Sequence, residues 1–127
     1  MTPISISYAQ AMEDIHLLRA LQGVRAEDGF YIDIGANDPE LDSVTKLFYD
    51  AGWRGINVDA SPQWAAKLRE QRPRDINIEA AISNVEGPIT FFEHPGGLGT
   101  TIDTVMWPTM CALNITRPYT PGGPLVA

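Results

Sequence analysis

Basic residues are scarce in this chain: lysine and arginine number 9 against 16 aspartates and glutamates, giving a formal net charge of −7. Neutralising nucleic-acid phosphates takes a surplus of lysine and arginine, so the balance argues against a nucleic-acid partner. Cysteine is rarer still. The single thiol, Cys111, permits no internal disulfide and fits a reducing cytoplasm. No apolar run approaches the ~18–20 residues that a transmembrane helix needs, so no membrane span is expected. The opening MTPISISYAQAMED has neither a basic start nor an apolar core, and no secretory leader is read there. Without a secretory route, the sequon Asn114-Ile115-Thr116 reads as chance. What is present is ordinary for one globular domain with a modest core: 127 residues, 44% hydrophobic and 20% charged.

Along the chain, strand and helix patterns alternate. YAQAMEDIHLLRALQ, from Tyr8 to about Gln22, places Ile15, Leu17, Leu18 and Leu21 roughly on one helical face, with Gly23 set to end it. GFYIDIG then reads as a short buried strand of the parallel-sheet type. SVTKLFYDAGW has helical spacing at Val44, Leu47, Phe48 and Ala51, with Asp42 or Ser43 as N-cap and Gly52 as stop. RGINVDAS is a second strand ending in an acid. Ser61 can cap the next helix, PQWAAKLREQR, with Pro62 at its first position and Pro73 beyond its end. DINIEAAIS follows as a third strand, and this β-α-β-α-β order predicts a doubly wound α/β fold with a parallel sheet. GPITFFEHPGG reads as a further short strand before a Gly96-Gly97 turn, its sheet unassigned. From about Thr104 the chain carries Pro108, Pro118, Pro121 and Pro124 and no sustained period. Residues 104–127 are therefore expected to be an irregular tail following a domain of residues 1–103.

Ligands of doubly wound sheets bind outside the carboxyl ends of the strands. There the first strand delivers Asp33 and then Gly35, whose missing side chain lets a ligand approach the backbone. The second delivers Asp59, about two dozen residues beyond Gly35, where an acid can accept hydrogen bonds from ribose hydroxyls. After the third, Ala80 and Ala81 leave room for a flat ring. Each has a plain alternative: Asp33 as a turn cap, Gly35 as a turn glycine, Asp59 as a solvated loop acid. Two successive βα units ending in an acid favour a nucleoside-containing ligand. A dinucleotide site would want G-x-G-x-x-G, with the diphosphate on a helix N-terminus. Here the loop reads Gly35-Ala36-Asn37-Asp38-Pro39, with an acid where a diphosphate would sit. A ligand bearing a cationic amino group, such as S-adenosylmethionine, suits that loop better than a nicotinamide cofactor.

From about Ser7 to Asp103 the chain resembles the FkbM-type S-adenosylmethionine-dependent methyltransferases. The motifs that carry the likeness are DIGANDP, GWRGIN followed by an acid, RPRDINIEAAIS and GLGTTID. The resemblance implies a Rossmann-like class I methyltransferase fold with strand order 3-2-1-4-5-7-6. It also implies O-methylation of a hydroxyl on a sugar or natural product. Asp33, Gly35, Ala36 and Asn37 would then lie under the methionine and ribose of the cofactor, Asp59 and Ala60 at the ribose hydroxyls, and Ala81 and Ile82 beside the adenine. Tyr8, Gln10, Glu13 and Asp14 match a family motif that can help close the site, or else simply cap and solvate the first helix. No catalytic residue is assigned. His16 and His94 read as surface residues, and Trp53 and Trp64 as packing.

After Asp103 the chain departs from the family, so the domain reads as truncated after the third-strand region. The first strand would then be an edge, exposing Phe30, Ile32 and Ile34 and leaving room for a protein partner to cover them. Marginal stability is the expectation. A non-catalytic methyltransferase remnant or partner-binding fragment is the competing reading, and a nicotinamide-dependent oxidoreductase a third.

Overall fold

The computed structural model describes residues 6–83, 89–93 and 111–115. In chain order the elements are α1 (Glu13–Ala20), a 3-10 turn (Ala26–Asp28), β1 (Phe30–Ile34), α2 (Lys46–Asp50), β2 (Arg54–Asp59), α3 (Pro62–Gln71), β3 (Ile76–Glu79), β4 (Ile89–Glu93) and β5 (Cys111–Ile115). β1, β2 and β3 form a parallel sheet in that spatial order, with β2 central. This is the α/β alternation expected, and the sheet is compatible with a Rossmann-like methyltransferase fold. His94, the expected Gly96-Gly97 turn and all of the tail from 104 except 111–115 lie outside the described residues.

Three boundaries differ from expectation, each for a local reason. α1 starts at Glu13 rather than Tyr8, because the Asp14 carboxylate accepts the backbone N–H groups of Tyr8 (2.7 Å) and Ala9 (3.4 Å) and holds the preceding residues as a turn. α2 starts at Lys46, behind Thr45, not at Asp42 or Ser43. Asp42 takes a left-handed backbone (φ 56°), and the Ser43 hydroxyl accepts a bond from Arg72, so neither serves as the cap. Within the tail expected to be irregular, Cys111–Ile115 is a strand. It pairs antiparallel with β4, aligning Phe91 with Leu113 and Ile89 with Ile115, in a separate two-stranded sheet. Prolines on both sides hide a five-residue run, CALNI, that contains neither proline nor glycine.

The parallel register divides the sheet into two unlike faces. Phe30, Ile32, Ile34, Ile56, Val58, Ile76 and Ile78 share one face, which is apolar but for Arg54 opposite Phe30. Tyr31, Asp33, Asn57, Asp59, Asn77 and Glu79 share the other. α2 and α3 lie over the polar face, as the bonds from Thr45 to Asp33 and from Arg69 to Glu79 establish. On the apolar face Phe30 (58%), Ile32 (62%), Ile34 (63%) and Ile76 (47%) stay exposed, and β1 is an edge strand among the described residues.

The helix–sheet interior is only partly greasy. Phe48, Trp53, Ala65 and Leu68 are buried, with the Phe48 and Trp53 rings 5.0 Å apart, so Trp53 packs as expected. Beside them lie Ser43, Thr45, Asn57, Asp59, Arg72 and Asp75, all buried. Asp75 is one centre of this polar layer. Its Oδ1 accepts the N–H of Gly55 (2.9 Å), while Oδ2 accepts the Tyr31 hydroxyl and the Asn57 amide (3.0 Å). Gly55 is required there: a Cβ would fall 2.2 Å from the Tyr31 ring and 2.7 Å from its carbonyl oxygen. The motifs GWRGIN and RPRD are thus two halves of one buried construction.

Candidate functional site

The carboxyl ends of β1, β2 and β3 are laced together by backbone N–H groups. Gly35 and Ala36 both donate to the Val58 carbonyl, at 2.8 and 3.2 Å, so the loop after β1 lies against the end of β2. Asn37 N–H donates to Asp59 Oδ2 and Ser61 N–H to Asp59 Oδ1, each at 2.8 Å. Ala80 N–H closes the third side on the Asp59 carbonyl at 2.9 Å. Asp59 therefore ties three strand ends together, with its carboxylate buried.

Of the predicted site residues, Asp33, Gly35, Ala36, Asn37, Asp59 and Ala60 come together at the ends of β1 and β2. Gly35 adopts φ +75°, and a Cβ there would meet nothing within 4 Å, so the space over this residue is open. Asn37 is also left-handed (φ 55°), and its buried Oδ1 has no hydrogen-bond partner among the described residues. Asp33 Oδ2 accepts the Thr45 hydroxyl at 2.7 Å. Ala81 and Ile82 follow β3, with Ala81 half-buried and Ile82 61% exposed.

Asp38 behaves differently from the sequence argument built on it. Its Oδ1 accepts the N–H groups of Glu40 (2.9 Å) and Leu41 (3.1 Å), and its Oδ2 lies 3.4 Å from Lys67 Nζ. Burial would raise its pKa, but those N–H bonds and the ammonium hold it below the ordinary carboxylate value. The carboxylate is engaged in its own turn and balanced by Lys67. Any selectivity for a cationic ligand has to come from elsewhere in the loop.

The N-terminal residues organise the start of α1. Asp14, fully buried, accepts bonds from the Ser7 hydroxyl (2.7 Å) and from the N–H groups of Tyr8, Ala9 and Ile15. Burial pushes its pKa up, but these donors outweigh it and leave the carboxyl below its ordinary value. Lys46 Nζ sits 5.4 Å over the Tyr8 ring, bringing this segment to the first turn of α2, next to Thr45. His16 is exposed, as expected. Among the described residues, no group of three or more His, Cys, Asp or Glu is placed to hold a metal, and no helix is long and apolar enough to cross a membrane.

Sequence reasoning missed Arg72, a residue only 1% exposed. Its Nη2 donates to the Pro39 carbonyl and to Ser43 Oγ (2.8 Å), its Nη1 to Thr45 Oγ1 (3.0 Å), and the Tyr49 ring lies 5.2 Å away. A helix ending in arginine before proline reads as a dipole-complementing surface cation, and nothing local marks it as buried.

Comparison with known families agrees with this geometry. A family model described as the methyltransferase FkbM domain matches residues 33–106, which begins at Asp33, takes in all three strand ends and covers more than half the chain. No curated protein and no solved structure matches the chain. With the match starting at the first site acid and running through both motifs that build the buried polar layer, the chain belongs to the FkbM methyltransferase family.

Proposed function

We propose that the strand-end site binds S-adenosylmethionine and that the protein serves O-methylation of a hydroxyl on a sugar or other small-molecule acceptor. The family supplies the reaction class. The observation that carries the cofactor reading is the loop of Gly35 and Asn37: an open cradle at φ +75° and, two residues on, a buried carbonyl oxygen that lacks a donor among the described residues. An ammonium or hydroxyl of the ligand is the kind of group that oxygen needs, since a buried acceptor left unpaired costs about 1–3 kcal/mol.

Asp33 Oδ1, bonded to nothing among the described residues, offers a second acceptor for the amino-acid end. Asp59, held in place by Asn37 and Ser61, is the acid at the end of β2 that would face the ribose hydroxyls. Ala81 and the exposed Ile82 offer small and apolar surface to the adenine. Lys46 lies over the Tyr8 ring beside the first turn of α2, and Tyr8 would help close the site from the α1 side. When bound, the cofactor supplies a methyl group on cationic sulfur, which an acceptor hydroxyl takes up with loss of its proton. The role of this half of the site is to hold the donor, and we assign no general base. A reducing cytoplasm remains the proposed setting, in keeping with the lone Cys111.

Thermal unfolding in the presence of S-adenosylhomocysteine and, separately, NAD tests the reading. A concentration-dependent rise in midpoint with the first ligand alone supports it. A rise with NAD alone, or with neither, contradicts it.

A further inference from the structure

We infer that Thr45 is a positioning residue for the strand-end site, with Arg72 fixing it and Asp33 as the group through which it acts. The inference rests on the cofactor reading above. A threonine hydroxyl has one proton to give and lone pairs to receive. Here it gives that proton to Asp33 Oδ2 at 2.7 Å and receives Arg72 Nη1 at 3.0 Å. The direction of the chain is therefore fixed: guanidinium to hydroxyl to carboxylate. Arg72 has only donors, so it cannot be reversed.

The relay occupies the place where a helix cap is expected. Thr45 is the N-cap residue of α2, yet it makes no capping bond, because its hydroxyl is committed to Asp33. A cap of this kind contributes about 1 kcal/mol to a helix, and this five-residue helix goes without it. The same guanidinium also holds the Pro39 carbonyl and the Ser43 hydroxyl, and so the far side of the loop that begins at Asn37. One buried cation thereby sets two parts of the site together: the rotamer of Asp33 and the course of the loop. No carboxylate forms an ion pair with Arg72 among the described residues. Two acids are reached through hydroxyls, Asp33 through Thr45 and Asp75 through Tyr31. Lysine could not substitute, since a single ammonium cannot span the acceptors that the planar fork reaches.

Truncating Arg72 would leave several buried acceptors unpaired, so Thr45 is the place to test the relay. The experiment is a double-mutant cycle of Thr45→Val and Asp33→Asn, read as the dissociation constant for S-adenosylhomocysteine by calorimetry, with folding checked by circular dichroism. Thr45→Val is expected to weaken binding about tenfold in the parent chain and to have little further effect in the Asp33→Asn background. Thr45→Ser, which restores the hydroxyl, is expected to bind within about twofold of the parent. Equal losses in both backgrounds, or no loss in either, overturn the inference while leaving the cofactor reading intact. A folded parent chain that does not bind the ligand overturns the cofactor reading and this inference with it. Should Thr45→Val not fold, Thr45→Ala, which adds no bulk, takes its place in the same cycle.

Discussion

Adding one methyl group at Gly55 should come close to unfolding this protein. Residue 55 lies opposite Tyr31 in the β1–β2 ladder, and the tyrosine ring crosses directly above it to reach Asp75. In Gly55→Ala the new Cβ would fall 2.2 Å from Cδ2 and Cε2 of that ring. Turning the ring aside relieves that clash but not the second one, since the Tyr31 carbonyl oxygen lies 2.7 Å from the same point and belongs to the backbone. Overpacking a tight site costs about 1–3 kcal/mol. Displacing the ring also takes the hydroxyl from Asp75, a hydrogen bond to a charged group that contributes about 1.5–3 kcal/mol. Burial, reinforced by the neighbouring carboxylate, raises the Tyr31 pKa far above its ordinary value, so the phenol is a donor throughout the neutral range and the loss is felt there in full.

Together the two effects come to about 4 kcal/mol against the ~5–15 kcal/mol of a typical domain. Urea titration followed by tryptophan fluorescence measures the change, with Tyr31→Phe as the control that removes only the hydroxyl. The control should lose the smaller part, about 1.5–3 kcal/mol. A Gly55→Ala chain with its midpoint and slope unchanged would refute the account of the polar layer.

Other consequences are smaller and as readily measured. Asp14→Asn should destabilise the chain by about 1–3 kcal/mol at neutral pH, because a carboxylate that collects four donors becomes an amide. Its pKa in the folded chain lies below the ordinary 3.8, so its contribution is complete above that pH and disappears as the pH falls through the lowered value. Chemical denaturation at pH 7 and pH 3 should accordingly show the gap between parent and variant narrowing in acid; a gap that widens would contradict the assignment. Gly35→Ala should cost only about 1–2 kcal/mol of stability, the strain of a left-handed alanine, since its Cβ meets no protein atom within 4 Å. The same substitution should weaken S-adenosylhomocysteine by more than that strain, and equal affinity would mean that nothing approaches this backbone. Ile32→Lys places a charge on an exposed edge position and should leave stability within about 0.5 kcal/mol while reducing light scattering on heating. Unchanged scattering would remove the β1 edge as the source of aggregation.

The sequence made some elements plain and concealed others for identifiable reasons. β1, β2 and β3 could be read because each is a short apolar run bounded by glycine, proline or an acid, and α3 because Ser61-Pro62 and Pro73 bracket it. The start of α2 could not be read, because Asp42 and Ser43 look like caps, while in the fold Asp42 is left-handed and the Ser43 hydroxyl accepts a bond from Arg72. β5 was hidden by the prolines around it. At the site, the acids and the glycine were recognisable from their place after strands, but not what they bond to. Asp38 looked available and is paired with Lys67. Arg72 and Asp75 could not be placed at all, since their partners lie some 20 to 40 residues away along the chain. The apolar face carried by Phe30, Ile32 and Ile34 was foreseeable from strand order alone, and the structure leaves it exposed.

The most direct test of the central claim is a calorimetric titration of the purified chain with S-adenosylhomocysteine, run beside Asp59→Ala. The account predicts saturable binding at one site, lost in the variant, whose missing carboxylate both faces the ligand and holds the loops after β1 and β2. A folded parent chain that releases no heat, or a variant that binds as tightly as the parent, would contradict it.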